Sequence, residues 1–173
     1  MSFLNRPFNR GYSLIEMLVV IAVFSVMAVI ATQSLMLTFR SSRKTGAMIN
    51  TQKDLRYALA VIERGLYNAE SITSTCVVSG STSSSIAYLD EWNQAATFSC
   101  GTTGGGVGFV ASGSGQLTST HDTDITKCQF TCTSGGGNYP DIIKVELTGV
   151  DLNTTGAEGS SVTISNTILL RSY

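Results

Sequence analysis

Three residues near the amino end, Gly11, Tyr12 and Glu16, have types and spacing that suit chemistry. Gly11 is a small residue at the end of a short basic stretch and suits a protease cut before Tyr12. Such a cut would leave a positive amine on Tyr12, four residues from the carboxylate of Glu16. Glu16 sits at the lip of a 23-residue uncharged run, residues 17–39. An ionised side chain at the centre of a membrane helix costs about 2.5–3.5 kcal/mol on insertion scales, so a carboxylate kept in such a segment calls for a partner. None lies nearby in sequence. The new Tyr12 amine, from the same chain or a neighbouring one, has the right sign. The bland alternative is a stray glutamate at the membrane interface.

These residues resemble the processing signal of type IV prepilins and pseudopilins. That family has a basic leader ending in Gly, an aromatic residue, a nearby Glu and then an apolar helix. Here the leader is residues 1–11, with Arg6 and Arg10; Tyr12 stands where the family more often has Phe. The resemblance is specific over residues 6–31 and general beyond. It implies cleavage after Gly11 by prepilin peptidase, N-methylation of Tyr12, and a Glu16 that guides assembly by pairing with a neighbouring subunit's amine. It also implies other pilin or pseudopilin subunits and an inner-membrane assembly platform as partners. The carboxyl-terminal domain would lie outside the cytoplasm, in the membrane first and in a pilus or pseudopilus afterwards.

The elements that must position these residues follow from length and pattern. At ~1.5 Å per residue, the uncharged run spans roughly 35 Å against a hydrocarbon core of about 30 Å. Thr32, Gln33 and Ser34 soften its distal half, which suits a subunit that later leaves the lipid. Arg6 and Arg10 on one side and Arg40, Arg43 and Lys44 on the other leave the positive-inside rule undecided, so orientation rests on the resemblance. Beyond Arg40, Met48, Leu55, Leu59, Ile62, Leu66 and Ala69 form one apolar stripe of helical period. No proline interrupts residues 12–69. One long helix is therefore expected, in the membrane over 12–40 and amphipathic over 41–71, with Gly46 and Gly65 as soft points. Two helices joined through 41–46 are the alternative.

After Ser71, Gly, Ser and Thr dominate, and alternation replaces the helical stripe. Strands are expected at 86–89, 96–100, 107–110, 125–131, 142–147 and 162–170. Turns are expected at 90–94 and 135–140, and a loop from 153. The fold class is then α+β: a long amino-terminal helix packed on an antiparallel β-sheet over 72–173, the order known for pilin-like proteins.

Cys76, Cys100, Cys128 and Cys132 all fall in the part expected to be exported, where an even count reads as two disulfides. A zinc site is the rival, but only Cys128 and Cys132 are close, and the lone His121 is poorly spaced. Four residues of strand span about 13 Å, too far for a bridge between Cys128 and Cys132 unless a bulge intervenes. Pairing of Cys100 with Cys128 and of Cys76 with Cys132 is favoured.

Other constellations read blandly. Gly106, Gly108 and Ala111 match a dinucleotide fingerprint, but no strand precedes and no helix follows. His121, Asp122 and Asp124 read as a solvated loop rather than a metal or proton-transfer site. Asp151 and Asn153 with Glu158 lack EF-hand spacing for calcium. No catalytic triad stands out, so neither an enzyme nor a cofactor is expected. Net charge is −1, and −3 without the leader; no basic domain suggests nucleic acid. Within the family the chain looks like a minor subunit: Gln33 stands where many major pilins carry proline, and residues 52–69 and 167–171 look like minor pilins and J-like pseudopilins. The rival from another class is a secreted or tethered β-rich binding protein, with an ordinary signal peptide cut after Val29-Ile30-Ala31.

Overall fold

The computed structural model describes residues 11–136, 139–154 and 159–170. Arg6, Arg10, part of the 135–140 turn, Glu158 and Arg171 lie outside the described residues. The chain divides into two units, one ending at Ser41 and one beginning at Ser42. Helix α1, Leu14–Tyr67, is a single 54-residue element. Its sequence explains its length, since no proline interrupts the backbone ladder. Ser13 caps the start through its carbonyl, which accepts from the backbone N–H of Glu16 and Met17 at 3.0 and 3.2 Å. Arg64 lies in the last turn, where a cation complements the helix dipole.

In the first unit every described residue is exposed. An 18-residue window of α1 reaches a mean hydropathy of 2.8, enough in length and composition to cross a membrane. Three hydroxyls in this stretch are satisfied within the helix. Ser25 donates to the carbonyl of Ile21 at 2.8 Å, Thr32 to Ala28 at 2.8 Å and Thr38 to Ser34 at 3.0 Å. Such back-bonding removes the need for water at these side chains, which a hydrocarbon environment requires.

In the second unit, α1 buries Ala47, Thr51, Leu55, Ala58, Ile62 and Leu66. The stripe is shifted slightly from the expected one: Ala58 and Thr51 join it, while Leu59 and Met48 are only partly buried at its margin. Large and small residues alternate along the buried stripe, with Leu55, Ile62 and Leu66 as fully buried as Thr51 and Ala58.

The strands are β1 (Ser71–Ile72), β2 (Ser81–Ser83), β3 (Ser85–Leu89), β4 (Ala95–Thr102), β5 (Gly108–Ser112), β6 (Gly115–Gln116), β7 (Thr123–Thr133), β8 (Ile142–Asp151) and β9 (Ser161–Leu169). They form two antiparallel sheets rather than the one expected. The first has order β1-β3-β4-β5-β6, the second β2-β7-β8-β9. The six expected strands divide at the connection between β6 and β7. Two hydrophobic faces then meet with α1 in one core. Phe98 and Val110 come from the first sheet, Phe130, Val145 and Leu147 from the second, and Leu55 and Ile62 from the helix.

One local feature replaces a sequence expectation, and a second bears one out. Gly65 is a close-approach position, not a soft point. A Cβ there would sit 2.8 Å from the Phe98 ring and 3.0 Å from the Tyr88 hydroxyl oxygen. Those two rings stack at 5.2 Å, so the glycine lets α1 lie against an aromatic pair. The 90–94 turn is built on Asp90, whose side chain accepts from the N–H of Trp92 and Gln94 at 3.0 and 2.8 Å.

The cysteines form two bridges, Cys76–Cys132 and Cys100–Cys128, with Cα separations of 4.9 and 5.9 Å. Both land on β7. Cys100–Cys128 ties β4 of one sheet to β7 of the other. Replacing Cys100 and Cys128 together by Ser should lower stability by about 2–5 kcal/mol, because the unfolded chain loses a long cross-link. Thermal unfolding of the variant against the parent reads this directly. An unchanged melting temperature would show that the sheets hold together without the staple.

Candidate processing and assembly site

Gly11, Tyr12 and Ser13 precede α1 in non-helical conformation and are exposed. An accessible, irregular segment directly before a helix is the kind of backbone a peptidase can engage. Nothing among the described residues crowds a side chain at position 11. Among the described residues, no atom lies within 4 Å of where its Cβ would be.

Tyr12 is 77% exposed, and Glu16 falls in the first turn of α1. Among the described residues, Glu16 makes no ion pair. Its position adds a local role that the apolar context hides. Ser13 and Glu16 have the S-x-x-E spacing of a capping box, and an acidic residue in the first turn complements the helix dipole. That spacing was legible in the sequence and is the signal that marks where the helix begins.

Residues 6–32 match the family model described as the prokaryotic N-terminal methylation motif. The amino terminus is similar to that motif. The match covers the segment before α1 and the first part of α1; it does not extend into the second unit. No curated protein and no solved structure matches the chain.

The remaining candidates have structural occupations. All four cysteines are consumed by bridges, which removes the zinc reading. Gly106 has φ 83° in a turn closed by Thr103, and Gly108 opens β5; the fingerprint is a turn entering a strand. Asp124 accepts the N–H of Gly108 at 2.7 Å, while Asp122 accepts from Ser119 and Asn153. Asp151 holds its own loop, accepting from the N–H of Asn153 and the hydroxyl of Thr154 at 2.9 and 3.0 Å. No group of three or more metal-ligating side chains occurs among the described residues. Sequence reasoning missed Asp54, which accepts from the buried Thr123 hydroxyl at 2.8 Å and pins α1 to β7. No periodic pattern announces such a single polar link.

Proposed function

We propose that this chain is a minor structural subunit of a type IV pilus or a type II secretion-like pseudopilus. Prepilin peptidase cuts residues 1–11 away after Gly11, and the new Tyr12 amine is methylated. Residues 12–40 anchor the subunit once across the inner membrane, with the carboxyl-terminal domain outside the cytoplasm. The assembly platform then moves it from lipid into a filament of pilin or pseudopilin subunits. Residues 41–71 join this anchor to the disulfide-bonded domain of 72–173. The observation that carries the reading is the methylation motif at residues 6–32, set on a helix whose apolar surface the chain leaves uncovered. A run of exposed apolar residues this long needs lipid or other subunits around it.

The minor role is supported by Gln33 in place of a membrane-helix proline. The signal-peptide reading gains nothing from the structure: α1 runs through 29–31, and Thr32 bonds back to the Ala28 carbonyl where that cut would fall. Intact mass of the protein from its native membrane tests the proposal. The expected mature chain begins at Tyr12 and carries one added methyl group. A start at Thr32, or a retained Met1, overturns it.

A further inference from the structure

Strand β9 is an edge strand of unusual character. The other edge strands, β1, β2 and β6, are only two or three residues long, whereas β9 has nine. Proteins protect long edges with lysine, proline or bulges, because the bare N–H and C=O groups invite another strand. None of these devices is present, and the side-chain oxygen of Asn166 takes only the N–H of Thr167, at 2.8 Å. Residues 161–169 read Ser-Val-Thr-Ile-Ser-Asn-Thr-Ile-Leu, rich in β-formers and without charge, glycine or proline. Pairing with β8 is continuous from Val150↔Ser161 to Ile142↔Leu169.

A second observation lies beside this edge. An open groove of about 510 Å³ separates β9 from the carboxyl-terminal turns of α1. It is lined by Ala60, Glu63, Arg64 and Tyr67 on the helix and by Asn166, Ile168 and Leu169 on the strand, with the Glu63 carboxylate taken up by the Asn166 amide. The sheet face that buries Val162 and Ile168 also carries Asn166, whose side-chain amide donates to Glu63 of α1. That face therefore looks toward the helix. A strand added to β9 would lie about 4.8 Å outward, and its alternate side chains would point the same way, over the groove. Arg64 is exposed and makes no ion pair among the described residues.

We propose that the β9 edge and this groove form an acceptor site for an extended strand of a different polypeptide, one that places apolar side chains and a carboxylate over α1. Backbone hydrogen bonds would supply affinity, and the groove would select the alternate side chains. Arg64 favours an acidic residue among them. A second copy of β9 lacks one, since 161–169 is uncharged, so self-pairing would leave the arginine unanswered.

The test uses the full-length protein in detergent micelles. The probe is a blocked peptide as long as β9 that alternates valine with threonine and carries one glutamate on the valine face. Hydrogen exchange should slow across 161–169 when the peptide is added, and fluorescence anisotropy should give saturable binding. Arg64→Glu should weaken this peptide by about threefold to tenfold and favour a lysine-containing version by a similar factor. Ala60→Trp fills the groove from an exposed helix position and should abolish binding of both peptides while leaving the melting temperature unchanged. Unaltered exchange at 161–169, or equal binding to the parent and Ala60→Trp, overturns the proposal. So does a dimer of the peptide-free protein that Ala60→Trp dissolves, since the occupant would then be a second copy.

Discussion

Gly11→Val is expected to leave the protein as uncut precursor in the inner membrane, with little or no mature chain beginning at Tyr12. The expectation rests on where the constraint at position 11 resides. Within the described residues a side chain there meets nothing. The substitution therefore leaves the folded domain alone. It changes only what an external peptidase must accommodate, namely a branched side chain beside the bond to be cut. Peptidase pockets built around a missing side chain reject a larger one by steric overlap, and no flexible neighbour can relieve it. The measurement is intact mass together with amino-terminal sequencing of membrane protein, parent against variant. Melting temperature and disulfide mapping serve as controls and should not move. Efficient cleavage of the variant after position 11 would mean that the motif's glycine is dispensable and that processing reads another feature.

Much of this fold could be read from residues, and the exceptions have physical reasons. Helix α1 announces itself by a prolonged apolar run, a helical stripe and the lack of proline over 12–69. The six longer strands announce themselves by alternation. The division into two sheets does not, because the short strands 71–72, 81–83 and 115–116 consist of Ser, Gly, Thr, Ile and Gln and carry no pattern. Each is held in place by a longer neighbour: Ser83, for instance, pairs with Phe130 across from β7. Gly65 misleads for a related reason. Its cost in an isolated helix is about 1 kcal/mol, a local quantity. Its benefit is room for Phe98, which is far away in sequence and visible only once β4 is in place. At the amino terminus the situation is reversed. The motif residues Gly11, Tyr12 and Glu16 are legible because none of them is buried in the core, so their types stand out against the apolar run.

Glu16→Ala is expected to be inserted and cut normally, yet to be incorporated into filaments poorly. Two effects compete to explain such a loss. The first is local: Glu16 lies in the first turn of α1, three residues after Ser13, where a carboxylate supports the helix start. That is worth about 0.3–1 kcal/mol, too little to empty a filament. The second is pairing in the assembled state with the methylated amine of Tyr12, on the same chain or the next. Where little water reaches, removing one partner strands the other charge at about 3–5 kcal/mol. At about 1.4 kcal/mol per factor of ten, this shifts the assembly equilibrium by roughly 100-fold or more. Membrane insertion moves the opposite way, since removing a charge from an apolar segment makes it easier. The assay is the ratio of this protein in sheared filaments to that in membranes. Glu16→Gln separates the two effects, because glutamine also serves at this position of a capping box but carries no charge. If pairing governs, Gln behaves like Ala. If helix capping governs, Gln assembles like the parent. Equal ratios for all three proteins would remove Glu16 from assembly altogether.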